Sequence, residues 1–447
     1  MKRVLAMLLT GVLTIGLLTG CGGENKTDAS SDDGKSAEKS GPNEKEKFTI
    51  MGWGDPSDLQ KYVDAAFEAY PELAEKYEPE IMIAGKGDVD VYSKLRLALT
   101  SGEELPDIVQ INRTGLPEFA SAGVLEDLTE VVGKYEDNLN NGAKELAKYE
   151  DTYLGIPYEV KTKLWFYRQD IFEELGIKAE EVKDLDDFIA TGKQVQEKYP
   201  DSYMWDIGTN IQTYNIGMIL SGNGAKFTDD EGNYIVASDP GVKKAFKVFK
   251  DIKDAGVSMN VGGWTPDWEQ AYADGSLVST PSGDWLKNFI PKYAPELAGK
   301  WAVAQFPEMG DAVGGSEAGG SLFVVPKDAE HKEAAIEVFS KLWLTSEGNF
   351  AFRNQEGRET FLPLTLDAME DESVMKADPY FGESLMKAEV EALKNYKVFD
   401  FTPASDLEFT ILNQYLDEYL NGNLPLEEAL EQAQTDMVNQ IGNPFDK

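Results

Sequence analysis

Short apolar runs alternate with segments of helical period along most of the chain. Phe48-Thr49-Ile50-Met51 predicts a strand. From Ser57 to about Tyr70, Leu59, Tyr62, Val63 and Phe67 share one side at helical spacing. Glu80 to Ile83 predicts a second strand, and the stretch through Tyr92, Leu95, Leu97 and Leu99 a second helix. This βαβα rhythm implies a sheet with parallel strands and helices on its faces. Leu105 to Ile111 predicts another buried strand, and Ala334, Ala335, Val338, Phe339 and Leu342 a helix. The C-terminal third reads helical over Ser384–Tyr396, Leu407–Leu420 and from Leu424 through Met437, with Asn421-Gly422-Asn423 as a cap. Asp229-Asp230-Glu231-Gly232-Asn233 predicts a hairpin turn, because it lacks the alternating acidic spacing and closing Glu of a calcium loop.

Ala271 to Phe289 is the most informative stretch. It opens as an amphipathic helical turn, breaks at Asp274-Gly275 and runs extended through Leu277-Val278-Ser279. A turn over Pro281, Ser282, Gly283 and Asp284 then presents Trp285. Such a tryptophan either fills core or shows a flat face to a cleft, and the residues alone leave both open. Trp264-Thr265-Pro266-Asp267-Trp268 is a second aromatic cluster beside a proline turn, with the same two readings.

The length, 447 residues, suits two or three domains, and 42% hydrophobic with 11% aromatic residues supports large cores. The formal net charge of −38 argues against nucleic acid or an anionic membrane surface as the main partner. At the N-terminus, Lys2 and Arg3 precede an apolar stretch from Val4 to Leu18 that is short and broken by glycine, as in a signal peptide over residues 1–20. Leu18-Thr19-Gly20-Cys21 resembles the bacterial lipobox, which makes Cys21 the expected lipidation site and the membrane partner a lipid anchor. Cys21 is the only cysteine, so no intrachain disulfide forms. Residues 21–46 carry almost nothing apolar and are expected to be a disordered tether. Random-coil scaling gives it a reach of roughly 25–30 Å.

Catalytic patterns are scarce. A single histidine, His331, in a charged helix start excludes HExxH zinc chemistry and makes a nucleophile–histidine triad improbable. Phosphate-binding and nucleophile-elbow spacings are missing too, so we expect no cofactor, no metal and no enzyme. The alternative is a surface glycoside hydrolase, which needs only a carboxylate pair. An anchored adhesin or scaffold would need repeats, and the chain has no internal repeat.

The Ala271–Phe289 stretch resembles the helix–strand–turn–Trp signature of extracellular solute-binding proteins of the maltose-binding type, which serve ABC importers. Leu105-Pro106-Asp107-Ile108, Gly123-Val124-Leu125-Glu126-Asp127-Leu128 and Tyr153-Leu154-Gly155-Ile156-Pro157-Tyr158 resemble further segments of that family, as does the closing helix after Pro425. The resemblance covers most of Phe48 to Gln440. It implies an α/β, two-lobed periplasmic-binding-protein-like fold with a ligand cleft between lobes joined by hinge strands. Crossings then fall near Pro157–Lys161, Ala318–Leu322 and Phe361–Leu366, giving lobe one as 47–157 plus 319–363 and lobe two as 158–318 plus 364–447. It implies a monomer that captures a carbohydrate, with an oligosaccharide favoured, and passes it to ABC permease subunits outside the cytoplasm.

In that family the tryptophan matching Trp285 stacks on a sugar ring, and an acidic residue at the position of Asp55, next to Trp53, accepts from a hydroxyl. Phe409 falls near another family aromatic. Lys161 stands where the maltose-binding pattern has a carboxylate, so a maltodextrin-type network is not implied. Asn112, Tyr158, Gln212, Tyr214, Trp264, Asp284 and Arg353 complete the candidates, chosen as stacking or hydrogen-bonding partners for a pyranose.

Overall fold

A mixed sheet of seven strands carries the architecture. The computed structural model describes residues 45–208, 213–310, 317–394 and 396–446, and of residues 213 and 214 the backbone alone. The strands are β1 (Glu46–Gly52), β2 (Tyr77–Ile83), β3 (Ile108–Asn112), β4 (Ile156–Arg168), β5 (Ser279–Gly283), β6 (Trp301–Gln305) and β7 (Glu317–Val324). Their order is β6-β4-β7-β3-β1-β2, with β5 also on β4. The helices used below are α1 (Pro56–Ala69), α2 (Asp88–Ser101), α3 (Thr213–Gly222), α4 (Pro240–Ala255), α5 (Pro266–Asp274), α6 (Lys332–Trp343), α7 (Ser384–Leu393), α8 (Ser405–Leu420) and α9 (Leu426–Gln440).

The expected parallel pairing holds for the first three strands, since β1 pairs in parallel with β2 and β3. Every other pair in this sheet is antiparallel. The reason is β4, a thirteen-residue strand that continues past the expected crossing. Its first half pairs with β7, from Ile156 opposite Phe323 to Thr162 opposite Glu317. Its second half pairs with β6 and β5, so one strand serves both ends of the sheet.

Two sequence expectations need correction. Pro281, Ser282 and Gly283 belong to β5 rather than to a turn, with Pro281 opposite Trp165. Proline is tolerated there because β5 pairs along one edge only, where a missing N–H costs no second ladder. The chain turns one step later, in a 3-10 segment over Asp284–Asn288. Glu46, assigned to the tether, is the first residue of β1 and lies in register with Tyr77.

The predicted hairpin is present, with Thr228 bridging Tyr234 and Asp229 Oδ1 accepting from Asn233 N at 2.8 Å. Gly422 adopts φ +75° just past α8, the left-handed cap its sequence predicts. One core packs Leu59 and Val63 of α1 and Phe339 and Trp343 of α6 against Ile50 and Ile156. A second buries Trp165 and Trp205 with Phe246 of α4, Leu412 and Leu416 of α8 and Leu430 of α9. The end of β3, the interior of β4 and the start of β7 line a cleft to which residues packed on both cores contribute.

Candidate functional site

The cleft has a volume of ≈ 570 Å³, within the range of small-ligand sites. One wall is aromatic. Trp285 opens out of the 3-10 turn after β5, and its indole lies against Gly283, where an added Cβ would stand 2.2 Å from Nε1. Glycine is therefore required for this close approach. Trp264 stacks on Trp285 with centroids 5.4 Å apart and 28° between planes, and Phe289 meets the Trp264 ring edge-on at 5.1 Å. Trp264 is 47% exposed and holds φ +62°, a strained conformation for a bulky residue. Outliers of this kind concentrate at ligand clamps. A second aromatic group, Phe399, Phe401 and Phe409, lines the cleft elsewhere, with centroids 5.1–6.1 Å apart.

The floor is polar and already hydrogen-bonded. Asn112, the last residue of β3, donates from Nδ2 to Asp88 Oδ2 at 2.8 Å and accepts at Oδ1 from Ser321 Oγ at 2.8 Å. Tyr92 donates its hydroxyl to the same Asp88 oxygen at 3.2 Å. Asp88 begins α2, so β3 and a helix start meet at one carboxylate, to which β7 is linked through Ser321 and Asn112. Two supporting donors fix its geometry before any ligand arrives.

A chain of charges runs from the cleft into the protein. Lys161 Nζ lies 2.7 Å from Glu159 Oε1 and 3.8 Å from Asp284 Oδ1. Lys287 Nζ lies 3.8 Å from Asp284 Oδ2 and 2.5 Å from Glu389 Oε1. Burial disfavours the Lys161 ammonium, yet Asp284 and Glu159 outweigh it and raise its pKa. Glu317, also lining the cleft, is pushed up to about 7 by burial, against the pull of Arg113.

Of the residues singled out in the sequence, the cleft brings together Trp53, Asn112, Lys161, Trp264, Trp285 and Phe409. Asp284 sits one layer behind, buried against Lys161 and Lys287. Three others lie off the cleft lining. Asp55 is exposed and accepts from Ser57 N at 2.8 Å as the N-cap of α1. Tyr158 is buried in the core, accepting from Gln110 Nε2 at 2.5 Å, because strand alternation turns it away from the face of Glu159 and Lys161. Arg353 donates to the backbone oxygen of Phe361 and lines a separate surface crevice. Gln212, the Tyr214 side chain and Cys21 lie outside the described residues.

Sequence reasoning missed Asp88, Arg113, Glu159, Glu317, Phe401 and Asp406, all of which line the cleft. Glu159 was reachable, two residues from Lys161 on one strand and hence on its face. Asp88 follows Gly87 at a helix start, where an acidic residue reads as a helix-terminal preference. Nothing local marks Glu317 or Asp406.

Two α/β lobes about a cleft with aromatic walls and a polar floor define a receptor that encloses a small ligand. Residues 65–382 match the bacterial extracellular solute-binding protein family, and the chain belongs to that family, whose members work outside the cytoplasm. It is 27% identical over 424 residues to the arabinooligosaccharide-binding protein of Bacillus subtilis (strain 168), covering 90% of this chain and 91% of the relative. It is 26% identical over 350 residues to the lactose-binding protein of Rhizobium radiobacter, covering 75% and 79%. It shares its fold with the galacto-N-biose-/lacto-N-biose I-binding protein of the ABC transporter from Bifidobacterium longum, solved with lacto-N-biose, at TM-score 0.72 and 21% identity over 90% of this chain and 98% of that one.

Proposed function

We propose that this protein captures a neutral oligosaccharide between its lobes and delivers it to an ABC importer, held at the membrane by a lipid on Cys21. The observation that carries the reading is the pairing of the Trp285–Trp264 wall with the Asn112–Asp88–Ser321 floor. A pyranose has apolar C–H faces and a rim of hydroxyls, which call for flat rings and fixed hydrogen-bonding groups. Two separate aromatic groups suit more than one sugar ring. Asp88, Glu159, Glu317 and Asp406 outnumber Arg113 and Lys161 along the lining, which disfavours an anionic ligand. The named ligands of the relatives agree in class: arabinooligosaccharide, lactose and lacto-N-biose.

The lobes in this reading are 47–157 plus 319–363 and 158–318 plus 364–447, hinged where β4 and β7 cross. Closure on a sugar is then a population shift driven by contacts that only the closed state makes. A glycan array with purified protein tests the reading. Saturable binding of neutral oligosaccharides, each recovered intact after long incubation, is the expected result. Turnover of many equivalents would instead favour the glycoside hydrolase reading.

A further inference from the structure

A glycine inside a helix needs a reason, because it loses more conformational freedom on folding than any other residue and weakens the helix relative to alanine. Packing supplies the reason elsewhere in this protein. At Gly192, inside the helix Leu185–Lys198, an added Cβ would stand 2.7 Å from Val257 Cγ1. At Gly241 of α4 it would stand 2.7 Å from Ala225 Cα. Gly319 of β7 is required by its backbone, which holds φ +91°. Gly217 has neither reason. It lies in the middle of α3 without a positive φ, and an added Cβ would meet nothing within 4 Å among the described residues. The open space above it belongs to the cleft, which Gly217 lines.

Ser221 follows one helical turn later and lines the same cleft, so the two share a face of α3. Its Oγ is buried and finds no hydrogen-bond partner among the described residues. A helical serine commonly returns its hydroxyl to the carbonyl one turn back, as Ser93 does to Val89 O at 2.9 Å. Ser221 does not. α3 packs against β7 and α8. β7 brings Ala318, Gly319 and Gly320 to the lining and α8 brings Phe409. Together with Gly217 they give this part of the cleft a run of backbone with little or no side chain.

Backbone bare of side chains lets a ligand approach closely. A pyranose or furanose ring suits such a surface, with its C–H face on the helix and its rim hydroxyls free to meet a serine, which both donates and accepts. We propose that Gly217 and Ser221 form a subsite for one ring of the bound oligosaccharide, the ring lying over the bare turn of α3 and one of its hydroxyls pairing with Ser221 Oγ. The inference rests on the carbohydrate reading above and adds a residue that sets how much sugar the cleft admits. A side chain at position 217 fills the volume the ring occupies, so α3 forgoes helix stability to keep that volume open.

The proposal predicts opposite signs for stability and binding. Alanine at position 217 improves the helix and meets nothing in the ligand-free protein, yet it intrudes on the ring. Full-length wild type, Gly217→Ala, Gly217→Leu and Ser221→Ala are titrated calorimetrically with arabino-oligosaccharides, lactose, lacto-N-biose and the tightest neutral sugar from the array. The ligand-free melting temperature of each is measured alongside. Gly217→Ala should melt at or above the wild-type temperature and bind the tightest sugar about tenfold more weakly, with a larger loss in Gly217→Leu. Ser221→Ala should lose about fivefold, as expected for one neutral hydrogen bond. Affinity within about twofold of wild type in either Gly217→Leu or Ser221→Ala overturns the subsite. A lower ligand-free melting temperature in Gly217→Ala overturns it as well, and assigns the glycine to packing. If wild type binds no sugar on the array, the carbohydrate reading itself fails and takes the subsite with it; if wild type binds and the variants match it, the subsite alone fails.

Discussion

At the scale of single residues, one side-chain chemistry serves several masters, and this decides what a sequence discloses. Asp55 and Asp88 are both acidic residues following glycine-containing loops after strands. Asp55 satisfies the N–H of Ser57 at the start of α1, whereas Asp88 receives Asn112 and Tyr92 at the cleft. Only the three-dimensional neighbours separate a helix cap from a ligand group. Trp285 was legible only through the family resemblance of its stretch, since the residues alone left core and cleft open; in the structure it lines the cleft, its indole against Gly283. Arg353 was not, because a backbone carbonyl eight residues away takes up its guanidinium. Cys21 carries the residue-scale prediction. As the sole cysteine, at the end of a lipobox-like stretch, it is the proposed anchor. Cys21→Ser should shift the protein from the membrane fraction to the soluble fraction or the medium; unchanged membrane retention would count against lipidation there.

At the scale of elements, periodicity located α1, α2, α6, α7, α8, α9 and the strands β1 to β3 to within a few residues, and passed over α3 and α4. It failed where tertiary pairing decides. β4 reads in the sequence only as a crossing near Pro157–Lys161, yet β5, β6 and β7 pair with it along thirteen residues and hold it as one strand. One of its charged residues, Lys161, also faces a remote carboxylate, Asp284, at 3.8 Å, which no local pattern reveals. Lys287 shows the consequence, lying between the buried carboxylates of Asp284 and Glu389. Lys287→Met should destabilise by ~3–5 kcal/mol, the usual result of stranding a buried charge. Adding Glu389→Met should recover part of that loss. Urea unfolding checks this; a loss below ~1 kcal/mol would contradict the role given to the chain.

At the scale of the whole molecule, acidity shapes stability. The formal net charge is −38, and several buried carboxyls are held above their ordinary range. Burial pushes Glu317 and Glu408 to about 7 and Asp206 to about 6. A carboxyl with a raised folded-state pKa is destabilising once ionised. Its contribution is therefore most favourable below the unfolded value and is lost as pH rises through 6 and 7. Acidification over this window also relieves self-repulsion. The ligand-free melting temperature should rise by several degrees from pH 8 to about pH 5.5, and a scanning-calorimetry series giving a flat or falling trend would contradict this.

The proposed sugar capture in the cleft would make the molecule's two aromatic groups and polar floor one device, and Trp285 is the part whose two roles give opposite readings. Trp285→Ala removes a flat contact of the kind that costs at least ~2 kcal/mol at a binding hot spot, about thirtyfold in affinity. A tryptophan serving only as core would instead cost ~3–5 kcal/mol of folding stability. The measurement is a calorimetric titration of wild type and Trp285→Ala with the tightest neutral oligosaccharide from the array, set beside the ligand-free melting temperature of each. Stoichiometric binding by wild type, about thirtyfold weaker in the variant at a nearly unchanged melting temperature, is the predicted result. Wild-type affinity in a variant that melts many degrees lower would contradict it.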